Sequence, residues 1–104
     1  MSVKDRLKMF APLRKEYVQI LTIQTAMLPS GEALYRQRLS EIDAELVELE
    51  TMIGKLTDPK HREVLRLRYI QGYEWELICY YMHYSWSQAH RLHDQAIAIL
   101  DETE

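Results

Sequence analysis

A chain of 104 residues, 47% of them hydrophobic and 28% charged, has apolar material for one compact core and too little for two independent ones. Its net charge of −3 excludes an overall electrostatic attraction for nucleic acid, so any phosphate contact has to be local. The single cysteine, Cys79, excludes an internal disulfide and predicts a reducing, cytoplasmic setting.

The first predicted helix runs from Val3 to Met27, with Leu7, Phe10, Tyr17, Ile20 and Met27 at helical spacing. Pro12 leaves two readings: it kinks this helix, or a helix begins there with the proline in its first turn. The polar N-terminus, with Lys4, Asp5, Arg6 and Lys8, is not that of a secretion signal. No apolar run reaches the roughly 18 residues of a membrane span, so no membrane partner is expected.

Pro29-Ser30-Gly31 predicts a turn, after which a second helix extends to Leu56. Its apolar residues Tyr35, Leu39, Ile42, Leu46, Leu49, Ile53 and Leu56 alternate in steps of four and three, a heptad seam. Residues 1–57 therefore read as an antiparallel helical hairpin whose seam closes within one chain or between two, as in a homodimer. Glu41, Asp43, Glu45, Glu48 and Glu50 are the solvated face of that helix.

Asp58-Pro59 reads as an N-cap followed by a first-turn proline, which opens a third helix that continues to about Gln71 before Gly72 ends it. Two short helices follow, from about Glu74 to Met82 and from about Trp86 to Leu100, the last capped by Ser85. Residues 58–104 thus form a three-helix unit. Trp75, Ile78, Cys79 and Met82 make one inward stripe, and Ala89, Leu92, Ala96 and Ile99 the matching one. Ser87, Gln88, Arg91 and Gln95 are left on the outer face, where such side chains suit contact with base edges and phosphates.

The stretch Leu65-Arg66-Leu67-Arg68-Tyr69-Ile70-Gln71-Gly72-Tyr73-Glu74-Trp75, followed by Tyr84-Ser85, Gln88, Arg91, His93 and Ala96, resembles the C-terminal helix-turn-helix of ArpU-like phage transcriptional regulators. That module is in turn similar to the fourth conserved region of bacterial sigma factors. The resemblance implies an all-α phage or prophage regulator that binds double-stranded DNA in the cytoplasm of a bacterial host. It places Ser85, Ser87, Gln88 and Arg91 at the DNA-facing positions, with Arg66 and Arg68 on the phosphate backbone.

Two features depart from that pattern. Residues 58–104 carry five Lys or Arg against eight Asp or Glu, which opposes phosphate binding and predicts weak DNA binding, or binding only as a dimer. Leu77, Tyr80 and Tyr81 stand where the family has polar residues, and with Trp86 they form a second apolar surface. The expected cover is the hairpin or a second copy; the alternative is a protein partner such as RNA polymerase or another regulator, gripped by a helix-turn-helix shape that binds little DNA. His83, His90 and His93 read as surface groups, and too few ligands converge for zinc. With no phosphate loop, nucleophile elbow or paired carboxylates, neither a cofactor nor an enzymatic activity is expected.

Overall fold

The computed structural model describes residues 2–26 and 32–104, and among them every regular element is helical. In chain order these are α1 (Val3–Lys8), α2 (Phe10–Ala26), α3 (Glu32–Gly54), α4 (Pro59–Leu65), a π-helical turn (Arg66–Ile70), α5 (Trp75–Met82) and α6 (Trp86–Thr103). Met27 and the predicted Pro29-Ser30-Gly31 turn lie outside the described residues. Among the described residues no helix is long and apolar enough to cross a membrane.

The predicted first helix is two helices, because Pro12 cannot donate to the carbonyl of Lys8 and its ring crowds that oxygen. The chain turns at Met9, whose N–H bonds the Arg6 carbonyl at 3.1 Å, and Pro12 falls in the first turn of α2. Helix α1 is capped by the Ser2 hydroxyl, which accepts from the Asp5 N–H. Arg6 reaches Glu48 at 2.9 Å and Arg38 reaches Glu16 at 3.0 Å, so α1 and α2 run opposite to α3.

Asp58 accepts from the Lys60 N–H at 2.9 Å and Pro59 takes the first helical position, as the sequence predicts for the start of α4. Arg62 braces the preceding link by donating to the carbonyls of Leu56 at 2.6 Å and Thr57 at 3.2 Å. The last turn before Gly72 widens to π geometry, with the Gln71 N–H bonded to the Arg66 carbonyl at 2.9 Å. Gly72 then adopts a φ of +73°, a left-handed conformation that glycine takes without penalty, and the chain reverses into α5.

One cluster of buried side chains draws on both sides of this link. Val3, Leu7 and Phe10 from α1 and α2 meet Leu49, Met52 and Ile53 of α3, Val64 and Leu65 of α4, Ile78 of α5, and Ala96 and Leu100 of α6. The seam of α3 is buried most deeply toward its C-terminal end, at Leu49 and Ile53, whereas Tyr35 and Leu39 are half-buried. The α6 stripe is turned from its expected phase. Ala89, His93, Ala96 and Leu100 are buried and Ile99 is exposed, because α4, α5 and α1 all pack against that helix.

Candidate nucleic-acid interface

Between α5 and α6 the chain needs only three residues. His83 closes α5 in a left-handed conformation (φ 57°, ψ 41°), and the Tyr84 N–H returns to the Cys79 carbonyl at 3.1 Å. Ser85 opens α6 with a capping box: its hydroxyl accepts from the Gln88 N–H at 3.2 Å while the Gln88 amide oxygen accepts from the Ser85 N–H at 2.9 Å. The pair fixes where α6 begins. Replacing Ser85 with alanine is expected to remove about 1 kcal/mol of stability, read as a lower denaturant midpoint at unchanged slope.

Ser87, Gln88 and Arg91 are exposed on the first turns of α6, with Ser85 exposed at its N-cap. Among the described residues Ser87 and Arg91 have no side-chain hydrogen-bond partner and are open to a ligand; Gln88 has its oxygen engaged in the cap and keeps its amide N–H groups as donors. Gln95, also on the outer side, meets His61 of α4 at 3.3 Å.

The two arginines before α5 part company. Arg66 is exposed, whereas Arg68 folds inward, donates to the Tyr73 carbonyl at 3.0 Å and lies 5.3 Å from the centre of the Trp75 ring. Beside it opens a cleft of about 370 Å³, lined by Lys4, Leu7, Lys8 and Ala11 as well as Arg68, Tyr69, Gly72, Trp75, His90, His93 and Asp94. The sequence pattern missed this cleft. Lys4, Leu7, Lys8 and Ala11 do carry the i, i+3, i+4, i+7 spacing of a single face, but nothing in the spacing says that α6 is its neighbour.

The histidines are not uniformly surface groups. His93 is only 4% exposed, with Nε2 at 2.6 Å from the Tyr69 hydroxyl and Nδ1 at 2.9 Å from the Asp94 carboxylate. A carboxylate only accepts, so Nδ1 carries the proton and Nε2 accepts from the tyrosine. Burial holds His93 below the ordinary imidazole range, although the Asp94 hydrogen bond pulls the other way. Burial likewise raises Tyr69, which stays a hydroxyl donor. His90 packs on Trp75 and Trp86, with ring centres 3.9 and 4.5 Å apart.

Leu77, Tyr80, Tyr81 and Trp86 remain open in the single chain, Tyr80 at 72% and Trp86 at 55% exposure. The expectation that the hairpin covers them fails, because α1 and α2 approach α6 and the π turn instead. Tyr81 stacks on Tyr73 with ring centres 5.6 Å apart and Trp86 leans on His90, so two rings of the patch pack on neighbouring rings while it stays uncovered.

No curated protein matches the chain, and neither does any solved structure. The model of a family described as a protein of unknown function, DUF1492, matches residues 16–101, from α2 almost to the end of α6, and the chain belongs to that family.

Proposed function

We propose that the chain is a transcription regulator of phage or prophage origin, acting in the bacterial cytoplasm, that binds double-stranded DNA with α5 and α6 as a helix-turn-helix. The observation that carries this reading is the capped N-terminus of α6, set by a three-residue link from α5, with Ser87 and Arg91 exposed on its outer face. Ser87 suits a base or phosphate oxygen, and Arg91 a guanine edge or a phosphate. Arg66 adds an exposed cation on the preceding turn. The acidic balance of residues 58–104 favours action as a homodimer, in which two half-sites share the work.

Selection of bound fragments from a phage genome with the purified protein tests this reading. A reproducible subset of fragments is expected, with affinity falling steeply as salt rises. Arg91→Ala is expected to weaken that binding by about tenfold, the effect of removing one good base contact. Wild-type protein that prefers no fragment even at low salt contradicts the reading.

The exposed Leu77, Tyr80, Tyr81 and Trp86 favour a second reading, in which the module grips a protein such as RNA polymerase and binds little DNA. Fragment selection that fails while purified polymerase is retained by the protein supports this alternative over the first.

A further inference from the structure

We infer that the cleft between α1, the π turn and α6 is a contact site for DNA backbone phosphate, with Lys4, Lys8 and Arg68 as its cations. The inference rests on the DNA-binding reading above and supplies what that reading lacks, a local source of positive charge. Counted by sequence, residues 58–104 are acidic by three charges, with five basic side chains against eight carboxylates. Folding changes the local balance by bringing two lysines of α1 to the flank of α6.

The basic residues of α1 are divided between two neighbours. Arg6 turns to α3 and pairs with Glu48 at 2.9 Å. Lys4 and Lys8, one turn apart, line the cleft instead, and among the described residues neither has a carboxylate at ion-pairing distance. Arg68 spends one N–H on the Tyr73 carbonyl, and its stacking against Trp75 holds the rest of the guanidinium in place. Among the described residues Asp94 is the one carboxylate lining the cleft, and it is hydrogen-bonded to His93. Three cations therefore face a single, partly engaged anion.

The position also fits. Arg91 follows His90 directly and precedes Asp94 by one turn, so the rim of the cleft adjoins the outer face of α6. A helix lying in the major groove has phosphates along both flanks. The cleft occupies one flank, and the α1 lysines extend the phosphate contact beyond the helix-turn-helix itself.

The test is a salt series on a selected fragment, comparing wild type with Lys4→Gln/Lys8→Gln, Arg91→Ala and Lys15→Gln, the last removing an exposed lysine of α2 outside the cleft. Circular dichroism and melting of each variant establish folding first. The double variant is expected to bind about tenfold more weakly to all fragments alike, with the salt slope shallower by about two units, one for each lysine taken off a phosphate. Its ranking of fragments is expected to stay as in wild type, and Lys15→Gln is expected to change the slope little. An unchanged slope in the double variant, beside weakened Arg91→Ala, overturns the inference and leaves the DNA reading standing. A slope change in Lys15→Gln of half that size, the same for each charge removed, also overturns it, since net charge alone would then account for the effect. Wild-type protein without DNA binding at low salt removes both.

Discussion

Leu7→Ala is expected to destabilise the whole chain by about 2–5 kcal/mol, as much as a truncation of a buried side chain within α5 or α6 themselves. Leu7 belongs to a six-residue helix that alone could not persist in water. Yet its side chain is 1% exposed and shares one cluster with Leu65, Ile78 and Leu100. Cutting it back to a methyl group leaves a void bordered by α1, α3 and the last helices, where close packing prevents full collapse. The loss is a large part of the roughly 5–15 kcal/mol that holds a domain of this size together. Denaturant unfolding followed separately by tryptophan fluorescence and by far-ultraviolet circular dichroism checks it. Both tryptophans, Trp75 and Trp86, lie in the C-terminal half, so a variant that melts only the N-terminal helices would leave fluorescence in place. Coincident transitions, both shifted to lower denaturant, are expected; a fluorescence transition that stays at the wild-type midpoint contradicts the shared core.

The boundaries of the later helices were legible because each is written in local chemistry. Asp58-Pro59, Gly72 and Ser85 act within a few residues of themselves, and the structure uses all of them. Facing was less legible. A helical stripe read as Ala89, Leu92, Ala96 and Ile99 chooses apolar residues, but the buried set is Ala89, His93, Ala96 and Leu100. The polar residue in that set is admitted because its neighbour Asp94 accepts from Nδ1 and the π turn delivers Tyr69 to Nε2. No periodicity within α6 contains that information, since the partner comes from 24 residues upstream.

The same distinction separates the two halves of the candidate site. Ser87 and Arg91 could be placed on the outer face of α6 from spacing and a cap. Lys4 and Lys8 could not be joined to them, because their nearness to Arg68 depends on how the chain turns at Met9 and how α1 lies along α6. The exposed Tyr80 and Tyr81 show the reverse case. Their apolar spacing was plain in the sequence, but it predicted a cover that the rest of the chain does not supply.

His93 gives the fold a pH dependence whose sign follows from its burial. Its folded-state proton affinity lies below the ordinary value of 6.5 because the ring is desolvated. The unfolded chain therefore binds the proton first. Above about pH 6.5 the histidine is neutral in both states and its contribution to stability is fully present; as pH falls toward the lower folded value, the unfolded state gains protons and that contribution is lost. Carboxylates titrate in the acid range too, so the informative quantity is a difference. His93→Gln retains an oxygen to accept from the Tyr69 hydroxyl and does not titrate. The stability of wild type relative to this variant is expected to decline between about pH 7 and pH 5, measured by denaturant unfolding at each pH. A relative gain for wild type over the same interval contradicts a neutral buried imidazole. Tyr69→Phe tests the other end of the bond at neutral pH: it leaves Nε2 buried without a donor and is expected to cost about 1–3 kcal/mol. Denaturant unfolding that finds no loss in Tyr69→Phe contradicts the buried Tyr69–His93 bond.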